Sequence, residues 1–208
     1  MHKINLTEVK KYSIYIIIYN YVYNINESKT MKISKIVLNK MKRVYAVCSI
    51  DIHGKTHFLA APGGHGKCLL FSPPDWDVST AWLGPGGTMG LVPIPDRKNT
   101  LIAIQEFFPI YKSENAGIYY AEVPDNKKDL WNFNRIIDLP FVHRCNIVNI
   151  DKSPYLIAST LCGGKRFIED WSKPGAVYVG KLPDYSSDKC LLSPILEGIY
   201  CFVISRAS

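Results

Sequence analysis

PFVHRCNIVNIDKSPYLIASTLCGG, residues 140–164, places a His-Arg pair before an apolar run, an Asp-led polar turn and a second apolar run. Short runs rich in Ile, Val and Leu, bounded by turn residues, read as β-strands. The stretch therefore predicts a hairpin, and the question is whether it stands alone. Two further stretches match it. HFLAAP (57–62), TLIAIQ (100–105) and YLIAST (155–160) each carry an alanine at one position, Ala60, Ala103 and Ala158. Upstream of each lies an aspartate, Asp51, Asp96 or Asp151, and before that another apolar run, VYAVCSI, MGLVPI or CNIVNI.

The likeness continues downstream. KCLLFSPPD, IYYAEVPD and VYVGKLPD each end in Pro-Asp, at 74–75, 124–125 and 183–184. Proline cannot donate to a strand ladder and aspartate bonds its own backbone, so the pair is a turn marker. Each unit thus supplies three strands, and STAWL or NRIID leaves room for a fourth. Four short strands per unit, repeated at such intervals, predict an all-β fold of the β-propeller type. A β-sandwich also has evenly spaced strands and is the alternative. The expectation is about three four-stranded blades over residues 41–208, with LEGIYCFVIS opening a fourth. The chain then reads as an incomplete propeller, a piece of a longer one, with exposed blade edges available for self-association.

Charge separates the N-terminus from the rest. Of the formal +7 of the 208-residue chain, residues 1–42 hold eight lysines against Glu8 and Glu27. The remainder is close to neutral, so no nucleic-acid partner is expected. SIYIIIYNYVY is too short to span a bilayer as a helix, and no signal-peptide cleavage pattern follows it. Residues 1–40 read as a low-complexity extension outside the fold, with Met31 or Met41 as the natural start; a membrane-surface anchor is the alternative. The six cysteines form no C-x-x-C or zinc spacing, so reduced thiols and a cytoplasmic location are expected.

PFVHRCNIVNIDKSPYLIAST resembles the opening of FG-GAP/VCBS-type propeller units, including the propeller domain of aldos-2-ulose dehydratase-like sugar enzymes. APGGHGKCLLF and GPGGTMGLVPIP are similar to stretches of bacterial propeller proteins. The resemblance covers about residues 41–200 and implies a propeller fold. It departs from the family at the calcium loop, because Lys-Ser-Pro follows Asp151 where D-x-D-G-D-G would supply several oxygen ligands.

In a propeller, equivalent loops and strand ends gather at the channel mouth. His143 and Arg144 are the leading catalytic candidates, a histidine for proton transfer or metal and an arginine for a carboxylate or sugar oxygen. Aligning the units makes Thr88 and Met89 their equivalents in the second unit, with Thr88 a candidate ligand-binding residue. Strand alternation would send only one of the pair inward. His53, His57 and His65 match no metal motif, but His65 lies in the glycine loop GGHGK, where backbone approaches a ligand closely. His143 and His65 are the candidate metal ligands. GGHGK and GPGGTMG lack the P-loop pattern and read as tight turns, so no nucleotide cofactor is expected.

Glu106, Glu114 and Asn115 in one loop, and Lys165, Arg166, Glu169, Asp170 and Trp171 in the equivalent loop, supply the acidic, amide and aromatic groups a polar ligand requires. Glu106 and Asp170 are the candidate general acid and base. Three functions are compatible with these residues. The first is a module binding a small polar or carbohydrate-like ligand; the others are a metal-assisted sugar lyase or isomerase and a scaffold for protein partners.

Overall fold

Residues 37–108, 112–126, 129–184 and 189–199, with the backbone of Ser13–Ile14, are described by the computed structural model. The chain divides into two units, Met1–Arg43 and Val44–Ser208. In the first, β1 (Ser13–Ile14) pairs antiparallel with β2 (Met41–Lys42). Most of the basic extension, including residues 15–23 of its apolar stretch and Met31, lies outside the described residues.

The second unit is all-β, and each sequence unit becomes one four-stranded antiparallel sheet. The first sheet holds β3 (Val44–Ile52), β4 (Lys55–Pro62), β5 (Cys68–Ser72) and β6 (Asp77–Trp82). The second holds β7 (Gly90–Pro93), β8 (Thr100–Gln105), β9 (Gly117–Glu122) and β10 (Asn132–Asp138). The third holds β11 (Val142–Ile150), β12 (Ser153–Thr160), β13 (Gly175–Lys181) and β14 (Ser193–Ile199). Within each sheet the strands neighbour one another in chain order, and no sheet closes on itself. Among the described residues there is no α-helix. One expectation is corrected. LEGI does not open a fourth unit: Leu196 pairs with Val177, Glu197 with Ala176 and Ile199 with Gly175, so it completes the third sheet.

The Asp turns differ in detail. His53 and Gly54 both have positive φ, 53° and 75°, and Asp51 Oδ1 accepts from the Gly54 amide at 2.8 Å. In the third sheet Asp151 and Lys152 themselves take positive φ, 48° and 61°. Both are two-residue turns whose twist suits a right-handed hairpin. Asp51 thus stands on its strand, paired with Thr56, whereas Asp151 is a turn residue.

Strand alternation gives the second sheet two buried faces. Leu101 and Ala103 of β8 pack with Ala46, Leu59 and Trp82 of the first sheet, while Ile102 and Ile104 pack with Val142, Leu156 and Ala158 of the third. Every residue of β8 is buried, as expected for a strand with protein on both faces. Full burial of an aliphatic side chain contributes about 1.5–3 kcal/mol, so these two layers hold the sheets together. A repeated backbone stitch accompanies them. The Trp131 amide, just before β10, donates to Ala81 O of β6 at 2.9 Å, and the Cys190 amide, before β14, donates to Ile136 O of β10 at 3.1 Å.

The first strands lie side by side, β3 against β7 and β7 against β11. Because each first strand starts where its second strand ends, the loops after β4, β8 and β12 share one end with the starts of β3, β7 and β11. The Asp turns occupy the other end. There Asn149 Nδ2 donates to Asp96 Oδ2 at 2.9 Å, and Arg97 bonds Pro183 O and Asp184.

Candidate functional site

At the start of β11 the pairing skips from Val142–Thr160 to Arg144–Ser159, leaving His143 as a bulge. β3 does the same, skipping from Val44–Pro62 to Ala46–Ala61 around Tyr45. Bulges re-aim side chains, and both strands use the device at one position. In the second sheet Gly90 pairs with Ile104, so Met89 is the counterpart of Tyr45 and His143. The alignment of His143 with Thr88 is therefore corrected by one residue. Thr88 is buried, and its hydroxyl accepts from Gln105 Nε2 at 3.0 Å.

The bulge resolves the alternation problem, since His143 and Arg144 both remain at the strand start. His143 packs its ring 5.2 Å from that of Phe107. Burial, aided by the neighbouring Arg144 charge, pushes its pKa down to about 4, so the imidazole is neutral at physiological pH. Arg144 reaches across all three sheets. Its Nη1 donates to Met89 O at 3.3 Å and His143 O at 3.1 Å, and its Nη2 donates to the Tyr45 hydroxyl at 3.4 Å.

Glu106 belongs to a second network. It follows β8 with φ 62°, a left-handed conformation that side chains other than glycine seldom adopt. Its Oε2 accepts from the Tyr119 hydroxyl at 2.8 Å and from Arg135 Nη1 at 2.9 Å. Arg135 also donates from Nη2 to Asn115 O and Ala116 O. Its Nε sits 2.6 Å from Asp138 Oδ1, an ion pair whose angle falls outside hydrogen-bond geometry. Burial, with the Glu106 hydrogen bond, raises the Tyr119 phenol to about 12. Asn115 thus contributes its backbone carbonyl to this network, while Glu114 is exposed.

The glycine loops bond to one another. Gly87 N donates to Gly64 O, Thr88 N to Pro62 O, and Gly86 N to Gln105 Oε1. Glu106 N and Phe107 N in turn donate to Gly86 O and Gly87 O. These amides hold the sheets together and do not form a free anion cradle. Gly87 has φ 63°, and a Cβ there would lie 2.8 Å from Phe107 N, so the crossing requires glycine.

His65 is exposed, with its ring 4.3 Å from Phe108, beside the Phe107 that contacts His143. His53 and His57 sit at the opposite end of β4, separated from His65 by a strand rising roughly 3.4 Å per residue. Among the described residues no three His, Cys, Asp or Glu side chains converge on a metal position, so His65 and His143 have no third protein ligand there.

Lys165, Asp170 and Trp171 form a self-contained loop. Lys165, 6% exposed, donates from Nζ to Ile168 O at 2.7 Å and Asp170 O at 3.0 Å, and lies 3.3 Å from the Trp171 ring centroid. Asp170 Oδ2 accepts from the Arg166 Nε and backbone amide, and Oδ1 accepts from the Ser172 hydroxyl and amide. These bonds, that of Arg166 first, hold its carboxyl well below the usual carboxylate range. An acid held ionised in this way has no proton to give. Glu106 and Asp170 are committed to separate networks, so the expected acid/base pair is not assembled. The same loop exposes Phe167, Ile168 and Trp171.

The described cysteines, Cys48, Cys68, Cys145, Cys162 and Cys190, are free thiols, and burial pushes Cys48 and Cys145 up to about 12. Among the described residues no helix is long and apolar enough to cross a membrane.

Sequence reasoning missed Tyr45, Tyr119 and Arg135. Tyr45 was within reach, since VYAV and VHRC align once Ala60 and Ala158 are superposed. Arg135 lies on a fourth strand, where the sequence showed only room for a strand. No protein-family model and no curated protein matches this chain.

Proposed function

We propose that residues 44–199 are part of a β-propeller of the FG-GAP/VCBS type, acting as a binding module for a small polar, carbohydrate-like ligand at the loop-bearing end. One observation carries this reading: the three first strands run side by side and begin together at the end that bears the long loops. In a propeller those strands are the innermost ones, and their shared end is a channel mouth. On this reading Tyr45, Met89 and His143, which stand just before the first regular pairs of β3, β7 and β11, lie around the mouth, and Arg144 bonds the Tyr45 hydroxyl and the Met89 carbonyl. A neutral imidazole, a phenol, a guanidinium and the Phe107 ring together offer polar contacts beside an apolar wall, which is the make-up of a small-ligand site. A metal-assisted lyase or isomerase with His143 and His65 as ligands or bases finds less support, because among the described residues no group of three metal-ligating side chains converges.

The test is ligand-observed NMR of the full chain against a panel of hexoses, hexuronates and hexose phosphates. Saturation transfer to at least one class, reduced in Tyr45→Ala, is expected. Absence of transfer from every class at millimolar ligand contradicts the reading.

A further inference from the structure

We infer that the ligand of this site presents a carboxylate to Arg144, as a sugar acid does; the inference rests on the binding-end reading above. Four arginines of the second unit lie among the described residues, and three have an acidic partner: Arg97 with Asp184 at 2.9 Å, Arg135 with Glu106 at 2.9 Å and Arg166 with Asp170 at 2.8 Å. Arg144 alone has none among the described residues. Its acceptors are two backbone carbonyls and a phenol, all neutral. They fix the direction of the guanidinium and leave its charge unmet.

The setting makes that charge matter. Arg144 is partly buried, and a partly desolvated charge is costly until an opposite one joins it. His143 beside it is neutral and adds no competing cation. Glu106, the carboxylate that directly follows β8, is satisfied by Arg135 and Tyr119. The counterparts of Arg144 in the other sheets, Ala46 and Gly90, bring no second charge. A guanidinium presents a planar fork of donors that fits the two oxygens of a carboxylate. The Tyr45 oxygen accepts from Arg144, so its own hydrogen remains to donate to a ligand oxygen.

The experiment is a set of calorimetric titrations of the full chain with a hexose, the matching hexuronate and the hexose 6-phosphate. The wild type, Arg144→Gln and Arg144→Lys are compared, with folding of each variant checked by circular dichroism. The hexuronate should bind at least tenfold more tightly than the hexose. Arg144→Gln should remove that preference, a loss of about ten- to a hundredfold in hexuronate affinity. Arg144→Lys, which keeps the charge but not the fork, should retain part of it. Equal affinity for hexose and hexuronate, or an undiminished preference in Arg144→Gln, overturns the carboxylate inference and leaves the binding-end reading standing. A preference for the 6-phosphate over the hexuronate also overturns it. Failure of all three ligands to bind the wild type overturns both readings together.

Discussion

A neutral His143 beside a charged Arg144 makes this corner sensitive to pH. The unfolded chain protonates a histidine near pH 6.5, whereas folded His143 resists until about 4. Between those values the unfolded state binds more protons, so stability falls as pH drops through that window and is unaffected above it. The loss, discounted for solvent screening at a partly exposed ring, is roughly 1 kcal/mol. Urea melts from pH 7.5 to 4.5 should show this slope in the wild type and not in His143→Asn; an identical slope in both would place the titration elsewhere. Gly87→Ala should be harsher. The left-handed φ and the contact with Phe107 N act together, giving a loss of about 1–3 kcal/mol or more by the same melts. At this scale the sequence revealed residue types better than positions. His143 and Arg144 stand out in PFVHRC, but the bulge that keeps both at the strand start comes from a skipped pairing, which no local pattern encodes. Arg135 and Tyr119 meet Glu106 only after three loops and strands have packed, so sequence spacing could not join them.

The repeated element, a four-stranded antiparallel sheet, was the most legible feature of the chain. Aligned alanines, Asp turns and Pro-Asp pairs mark three units because each obeys the same register, with Ala60 opposite Val47, Ala103 opposite Leu91 and Ala158 opposite Cys145. The fourth strand of the third sheet was misassigned for a physical reason. SPILEGI carries proline and glycine where a strand signal should be, and it sits on an edge, where proline is tolerated. The elements also make separate cores. Leu59→Ala removes packing between the first and second sheets, and Leu156→Ala removes it between the second and third. Each should cost about 2–5 kcal/mol. Because the sites share no partners, the double variant should lose the sum to within about 0.5 kcal/mol by denaturant titration. A marked departure from additivity would mean that the two layers do not pack independently.

At the scale of the whole molecule, the chain divides at Arg43 into two units, Met1–Arg43 and Val44–Ser208. Within the second unit, the sheets are arranged so that their first strands meet, and the proposed function depends on that meeting. The arrangement gives the two ends different characters: an Asp-turn end tied by Arg97 and Asn149, and a loop end where Arg144 has no acidic partner among the described residues. The most direct measurement is a two-dimensional amide NMR titration of the full chain with a hexuronate. Saturable shifts are expected to concentrate at residues 44–46, 87–90 and 143–145, three segments distant in sequence and joined only by the packing of β3, β7 and β11. Shifts confined to the Asp-turn end, or no saturable change at any amide, would contradict it.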